Sequence, residues 1–237
     1  LAVVEQGLTM LHVTRCDAVL AVGGGSSIDA AKVIALAASN HKTPQQLIGI
    51  LKGKQPSLPL FVVPTTAGTG SEVTAGAVIS DAITHQKNLV IDPKVVPLAT
   101  AIDPTIMQGM PPHITADTGV DALTHALEAW MSEFANAETD YYASAAIRMV
   151  LQHLPTAYQN GKDLMARVQA DRLLAFGLGV QLLAEEVVQE GADHRNDGET
   201  DQLLLARRHC GGQYVGGELE LQRQNEPAAK TEADTGE

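Results

Sequence analysis

The feature that most constrains this chain is a short apolar run that ends abruptly in glycines and continues as an alanine-rich segment. Residues 17–22 read Asp-Ala-Val-Leu-Ala-Val, residues 23–25 are all glycine, and residues 26–39 favour a helix. An apolar run without polar alternation is typical of a strand buried on both faces, as in a parallel sheet covered by helices. The sequence therefore predicts an α/β unit at the start of the chain.

Four further apolar runs extend this pattern through the first hundred residues. They are Leu58–Val63, Ala75–Ile79, Asn88–Ile91 and Leu98–Ile102. Each has the length of a short strand and is bounded by turn-forming residues. We therefore expect a parallel α/β sheet assembled from these runs.

The spacing becomes helical after the proline pair at residues 111–112. A predicted first helix carries one apolar stripe at steps of three and four residues, made of Ala116, Val120, Leu123, Leu127 and Trp130. A second helix is predicted over residues 137–158, with a break near Pro155. Two more are predicted over residues 162–176 and 180–188.

Strands followed by helices predict two domains and a tail. We place an α/β domain at residues 1–110 and a helical domain at residues 111–188. The last 49 residues, 189–237, hold eleven acidic and five basic residues and few large apolar ones. We expect this acidic tail to lack a core and to be disordered.

The composition excludes several classes of function. The formal net charge is −12, so the chain gains nothing from the phosphate attraction that drives nucleic-acid binding, and an anionic membrane surface would repel it. Cys16 and Cys210 are too few for a disulfide framework. No apolar run approaches the roughly 18 residues of a membrane span. We expect a soluble, cytoplasmic protein with no nucleic-acid or membrane partner.

The glycine turn at residues 23–26 is the first candidate site. Glycine lets a phosphate approach the backbone, and the N-terminus of the following helix offers free N–H groups and positive potential. The turn departs from the dinucleotide fingerprint, because Ile28 stands at the third glycine position. From these residues alone two interpretations stay open: a phosphate-binding turn, and a strand-to-helix turn with Ser26 or Ser27 as the N-cap.

A second candidate site follows the run that ends at Val63. Residues 65–72 read Thr-Thr-Ala-Gly-Thr-Gly-Ser-Glu and present hydrogen-bond donors with little bulk. Open α/β sheets bind ligands beyond the carboxyl ends of their strands, which favours a diphosphate or a nicotinamide carboxamide here. The alternative interpretation is an ordinary polar loop.

Asp121 and His125 form the third candidate site. Side chains four residues apart share one face of a helix and can grip a single ion. A carboxylate with an imidazole suits a divalent transition metal better than calcium. The alternative is a solvated Asp–His pair, and we expect His113 and Asp117, at the same spacing near the helix start, to be surface residues.

Three segments taken together resemble the iron-containing alcohol dehydrogenase family. They are Gly23–Lys32 (GGGSSIDAAK), Pro64–Glu72 (PTTAGTGSE) and Gly119–Glu128 (GVDALTHALE). Their order and separation also resemble the family's, over approximately residues 13–170. The resemblance implies a Rossmann-like dinucleotide-binding α/β domain, here incomplete at its N-terminus, followed by an all-helical domain, here truncated.

The same resemblance implies which residues hold NAD or NADP. The implied contacts are Gly24, Gly25 and Ser26 at the pyrophosphate, Thr65, Thr66 and Thr69 at the diphosphate and nicotinamide side, and Lys87 at the ribose. It also implies that Asp121 and His125 are two of four ligands to a divalent metal, Fe²⁺ or in some members Zn²⁺. The family's other two ligands are histidines on later helices, and residues 171–237 hold only His194 and His209, outside the family's pattern.

The implied activity is hydride transfer between a primary alcohol or aldehyde and NAD(P), with the metal as Lewis acid. The implied assembly is a homodimer. Two alternatives stay open: a catalytically inactive remnant that retains nucleotide binding, and a related polyol or sugar-phosphate dehydrogenase of the same fold.

Overall fold

A computed structural model describes residues 1–81 and 84–168 of the chain. The helices are α1 Ala2–Thr14, α2 Gly25–Asn40, α3 Pro44–Leu47, α4 Pro104–Met107, α5 Pro112–Met131 and α6 Ala137–Gln159. The strands are β1 Val19–Gly23, β2 Gly49–Ile50, β3 Leu60–Pro64, β4 Gly76–Ser80, β5 Lys87–Ile91 and β6 Ala99–Thr100. Every strand in the described part precedes residue 101, and the long helices α5 and α6 follow.

The first sheet is parallel, as the apolar runs predict. Its strands are not buried on both faces as expected, because Leu20 and Val22 of β1 are exposed in the described structure. Its strand order is β1-β3-β6, and β1 pairs with β3 from Val19 opposite Leu60 to Gly23 opposite Pro64. Helix α2 packs on one face, where Ile28 joins a core cluster with Ala21, Val62 and neighbouring residues. Ile28 stands where the dinucleotide fingerprint has its third glycine, and its side chain is buried in this cluster.

The second sheet corrects the expectation of purely parallel pairing. Its order is β2-β5-β4, and β4 and β5 form an antiparallel pair with Ser80 opposite Lys87. Burial alternates along β4, where Ala77 and Ile79 are buried while Val78 is exposed. Among the described residues only one face of the β4–β5 pair is covered, and antiparallel strands tolerate one uncovered face.

Helix α2 is the centre of the α/β part. Its N-cap is Gly24, so neither Ser26 nor Ser27 caps the helix; both lie within its first turn. Val33, Leu36 and Ala37 are fully buried in a cluster that includes Val4 of α1 and Val90 of β5. The small side chains of this alanine-rich helix let α1 and both sheets approach it. Helix α1 and the two-residue strand β2 were not predicted from the sequence.

The buried face of α5 matches the predicted apolar stripe only in part: Leu123 packs against the core of the helical part, but most of the stripe does not. Val120, Leu127 and Trp130 are exposed in the described structure, and the buried positions are Thr115, Gly119, Ala126 and Ala129. A Cβ on Gly119 would lie 2.4 Å from the Leu154 side chain of α6. Helices α5 and α6 therefore pack closely through small residues, which leaves the larger apolar side chains on the outside.

Helix α6 continues through Pro155, where a break was predicted. Pro155 is exposed, and the helix ends only at Gln159. The lost hydrogen bond lies on the solvent side, where water can satisfy the freed carbonyl. Residues 164–168 are helical again, in agreement with the start of the helix predicted over 162–176.

The remainder of that helix, the helix predicted over 180–188 and the acidic tail at 189–237 lie outside the described residues. The division of the chain at residues 110 and 188 stays a prediction.

Candidate functional site

The glycine turn at residues 23–26 meets the segment at residues 65–72, here called the threonine loop, at the carboxyl edge of the parallel sheet. Because β1 and β3 are neighbours, Gly23 lies opposite Pro64 at the strand ends. The Thr65 N–H donates a 2.9 Å hydrogen bond to the Gly23 carbonyl. The two segments that the sequence predicts at one edge are therefore in direct contact, as the topology of a parallel sheet requires.

Side chains of the threonine loop lie against the two glycines that open α2. A Cβ on Gly24 would lie 3.1 Å from the Thr66 side chain, and a Cβ on Gly25 would lie 3.0 Å from Thr69 Oγ1 and 3.1 Å from Ser71 Oγ. Any side chain at either glycine would crowd these hydroxyls. The glycines thus keep the N-terminus of α2 open, where the first N–H groups of a helix have no partner within the helix.

One hydroxyl of this cradle has no partner in the described structure. Thr66 Oγ1 is buried and makes no hydrogen bond there. An unsatisfied buried hydroxyl costs stability, and in a native protein it points to a ligand or an ordered water. The donors available here, helix N–H groups and threonine hydroxyls, are those that hold phosphate oxygens. The residues present therefore fit the diphosphate of a dinucleotide.

The threonine loop is held in place by a buried lysine that sequence reasoning did not single out. Lys32 is fully buried on α2, and its Nζ donates to the Thr74 carbonyl at 2.8 Å, the Gly76 carbonyl at 2.7 Å and Thr74 Oγ1 at 3.0 Å. Asp29, one turn earlier, accepts a 2.9 Å hydrogen bond from the Val78 N–H. These bonds join α2 to the segment that leads from the loop into β4. The only signal in the sequence is a lysine within an alanine-rich helix.

Three titratable groups share this buried region. Burial raises the pKa of the Glu72 carboxyl to about 7, against the smaller lowering effect of Lys32. Burial lowers the pKa of Lys32 to about 8, and Asp29 and Glu72 oppose that change. Burial also raises the pKa of Asp29, whose Oδ1 lies 3.8 Å from the Lys32 ammonium. Burial thus moves the pKa values of Lys32 and Glu72 toward neutrality from opposite sides, because it disfavours the charged form of each group.

The remaining residues that the resemblance implies as cofactor contacts have fewer contacts within the cradle. Ser26 is exposed on the first turn of α2, and Thr65 is half-buried beside Gly23. Lys87 is exposed at the first residue of β5, opposite Ser80. Within the described residues no hydrogen bond or ion pair joins Lys87 to the glycine turn or the threonine loop, so its role at the ribose stays a prediction.

Asp121 and His125 lie on the exposed side of α5. His125 Nε2 is 3.9 Å from Asp121 Oδ1, and the two side chains are 39% and 48% exposed respectively. Their donor types and i,i+4 spacing suit a transition metal. No third His, Cys, Asp or Glu side chain completes a metal-binding group with them in the part of the chain described. The role of Asp121 and His125 as metal ligands therefore stays a prediction, and His194 and His209 lie outside the described residues.

The described helices include none that is long and apolar enough to cross a membrane.

Two sequence models of one family match this chain. The model described as iron-containing alcohol dehydrogenase matches residues 1–104, and the model described as Fe-containing alcohol dehydrogenase family, C-terminal, matches residues 115–194. The match thus extends beyond the expected residues 13–170 at both ends. The second match covers a segment in which no family pattern was predicted.

Individual relatives of this chain belong to the same family. Alcohol dehydrogenase 4 of Schizosaccharomyces pombe is 44% identical over 164 residues, which are 69% of this chain and 39% of that protein. The NAD-dependent methanol dehydrogenase of Bacillus methanolicus is 40% identical over 69% of this chain and 43% of its own length. A crystal structure of 1,3-propanediol oxidoreductase matches with a TM-score of 0.69 and 38% identity, over 74% of this chain and 47% of that one.

The chain spans less than half the length of each of these relatives. The structural match confirms the predicted order of a Rossmann-like part followed by helices. On the sequence models, the relatives and the fold together, this chain belongs to the iron-containing alcohol dehydrogenase family.

Proposed function

We propose that this chain acts as an NAD(P)-dependent alcohol dehydrogenase that transfers hydride between a primary alcohol or aldehyde and nicotinamide. The observation that carries the proposal is the cradle at the sheet edge. There Gly24 and Gly25 leave the N-terminus of α2 open, and Thr66 presents a buried hydroxyl without a partner. A curated relative of the same family is an NAD-dependent methanol dehydrogenase.

Each residue of the cradle has a distinct role in this proposal. Gly24, Gly25 and Ser26 present backbone N–H groups to the diphosphate, whose negative charge the N-terminus of α2 attracts. Thr66 Oγ1 hydrogen-bonds the dinucleotide, while Thr65 and Thr69 line its path. Lys87 is assigned to the ribose. The nicotinamide supplies the hydride chemistry when bound, and the protein orients it.

Asp121 and His125 are proposed as metal ligands for Fe²⁺ or Zn²⁺. A bound divalent metal would supply Lewis acidity toward an alcohol oxygen. Since a catalytic metal site normally has at least three protein ligands, this part of the proposal requires donors beyond the described residues. The family's homodimeric assembly and a cytoplasmic location are likewise proposed for this chain.

A second function, nucleotide binding without catalysis, is favoured by the two-ligand metal pair. It predicts NADH binding that is indifferent to metal. In contrast, a working dehydrogenase predicts turnover of some member of a panel of primary alcohols, polyols and sugar phosphates once Fe²⁺ or Zn²⁺ is supplied.

An NADH titration of the full chain tests the nucleotide site that both functions require, and the substrate panel with Fe²⁺ or Zn²⁺ then decides between the two functions. Binding is followed by energy transfer from Trp130, the single tryptophan of the sequence. In Gly25→Val the new side chain meets Thr69 and Ser71, so we expect affinity to fall about tenfold or more, a cost of about 1.4 kcal/mol. Gly109→Val is the matched control, because a Cβ at Gly109 has nothing within 4 Å.

Two results would contradict the nucleotide-binding proposal. One is the absence of NADH binding to the unmodified chain. The other is an equal affinity of Gly25→Val and Gly109→Val, with both variants shown to be folded by circular dichroism.

A further inference from the structure

The threonine loop touches two different parts of the molecule. Thr66 and Thr69 face the glycine turn of α2. The two residues between them face the helices: Ala67 is buried against the helical part, and Gly68 approaches α5. Within a span of four residues, the loop thus joins the cradle to the helix that carries Asp121 and His125.

Ala67 is part of the hydrophobic core of the helical part. It belongs to one buried cluster with Met107, Ala126, Ala146 and Val150. Ala122, which directly follows Asp121, packs against this cluster, and Ala126 directly follows His125. A shift of Ala67 would therefore displace the residues that follow Asp121 and His125, because close-packed cores transmit strain.

Gly68 approaches the backbone of α5 closely. A Cβ on Gly68 would lie 2.0 Å from the carbonyl oxygen of Thr118 and 2.6 Å from its carbonyl carbon. Its φ of +128° is a conformation that L side chains rarely adopt. The Cβ of Thr118 lies 3.2 Å from the same point. Thr118 is one helical turn before Asp121, so the loop approaches the backbone of α5 close to the Asp121–His125 pair.

We propose that Ala67 and Gly68 are positioning residues that couple dinucleotide binding to the ordering of helix α5. Binding of a dinucleotide at the cradle fixes Thr66 and Thr69, and the rigid Ala67–Gly68 contact passes this restraint to α5 at Thr118. A ligand that orders one end of a packed element reduces the fluctuations of the other end. This inference rests on the proposed nucleotide site and adds a link from it to the Asp121–His125 face.

The test is hydrogen–deuterium exchange of the backbone amides of residues 116–130, with and without saturating NADH. In the unmodified chain we expect NADH to slow their exchange by about fivefold or more, the lower range of typical coupling between sites. In Gly68→Ala, compared at equal NADH saturation, we expect less than about half of this response. Gly109→Ala, which adds the same methyl group into open space, should respond like the unmodified chain.

A second variant covers the case in which Gly68→Ala does not fold. Ala67→Gly removes a methyl group from the helical cluster without introducing a clash, and we expect it to lose at least half of the exchange response while still binding NADH. A merely structural role would lower stability in the presence and absence of NADH alike, and it would leave the ligand-dependent difference unchanged.

The outcomes separate the two proposals. NADH binding, measured by energy transfer from Trp130, with unchanged exchange on α5 would overturn the coupling and leave the nucleotide site standing. A full response retained in Ala67→Gly would also overturn the coupling. Absence of NADH binding to the unmodified chain would overturn the nucleotide site, and the coupling with it.

Discussion

The cradle at the sheet edge and the Asp121–His125 pair on α5 are built in opposite ways. The cradle is assembled from segments that β1 and β3 bring into contact, and the buried side chains of Lys32 and Asp29 brace the chain that follows it. The Asp–His pair lies on one turn of a helix and is roughly half exposed. In the described structure the ion pair joins the two side chains only to each other.

This difference shows how much chain each kind of site requires. A phosphate cradle uses backbone N–H groups and small hydroxyls, which adjacent strand ends supply together. A transition-metal site needs three or four side chains around one point, and one helix face supplies two of them. The described residues therefore bring together the groups proposed for the first site, but only two of the ligands that the second would need.

The largest effect we expect is on stability, from removing the brace of the cradle. Lys32→Met leaves two carbonyls and the buried Asp29 without their cationic partner, which should lower the free energy of unfolding by about 3 to 5 kcal/mol. Urea denaturation measures the change. Lys54→Met, at an exposed position, should change stability by less than about 0.5 kcal/mol. Equal effects of the two variants would refute the bracing role.

The next prediction concerns the Thr66 hydroxyl, whose removal should have opposite effects on stability and on NADH affinity. Thr66→Val removes the buried hydroxyl that has no protein partner, so we expect unfolding to cost about 1 kcal/mol more. The same change should weaken NADH binding about tenfold, because a hydrogen bond to the charged ligand is lost. Thermal melts and an NADH titration measure the two quantities.

Thr115→Val is the control for this substitution. Thr115 Oγ1 accepts a 2.9 Å hydrogen bond from Arg167 Nη1, so we expect its loss to destabilise the protein and to spare NADH affinity. A destabilised Thr66→Val variant with unchanged NADH affinity would show that the hydroxyl serves the fold.

A third test uses the pH dependence that the buried carboxyl creates. The pKa of Glu72 is about 7 in the fold and about 4.5 ordinarily. Between these pH values the folded protein holds a proton that the unfolded chain has released, so the free energy of unfolding should fall as pH rises from 4.5 to 7. Glu72→Gln should reduce this fall to the part that Asp29, whose pKa burial also raises, contributes. Glu133→Gln, at an exposed position, should keep the whole fall. Parallel slopes in all three proteins would contradict a pKa of Glu72 raised by burial.

The smallest expected effect on stability belongs to the metal pair. Asp121→Asn breaks a half-exposed pair, so we expect a change below about 1 kcal/mol in the absence of metal. Equilibrium dialysis with Fe²⁺ under anaerobic conditions, and then with Zn²⁺, should show binding that is lost in both Asp121→Asn and His125→Ala. Metal binding that survives both changes would place the metal elsewhere.

The strands and the cradle could be predicted because their signals are local. The apolar run before Gly23 and the run before Pro64 each end in small residues, and all five predicted strands are present. The antiparallel pairing of β4 with β5 could not be predicted in this way, since an apolar run does not show which neighbour it will meet. The pairing depends on a turn between Ser80 and Lys87 that has no strong hairpin signal.

In the helical part, too, the sequence did not show which residues would meet. The spacing of Val120, Leu127 and Trp130 predicted a buried stripe, but these residues are exposed in the described structure. Close approach of α5 and α6 through Gly119 and the alanines decided which face is covered. Hydrophobicity by itself favours the larger side chains, whereas packing distance favours the smaller ones.

The sequence by itself determined the order of strands and helices, the two loops of the cradle and the family to which the chain belongs. These follow from residue types in short windows, where periodicity and turn chemistry act locally. Only the tertiary structure decided that Lys32 and Glu72 are buried together, that Thr66 has an unpaired hydroxyl, and that Gly68 meets the backbone of Thr118. Each of these depends on contacts between segments distant in sequence, whose geometry is set by how the helices and sheets pack.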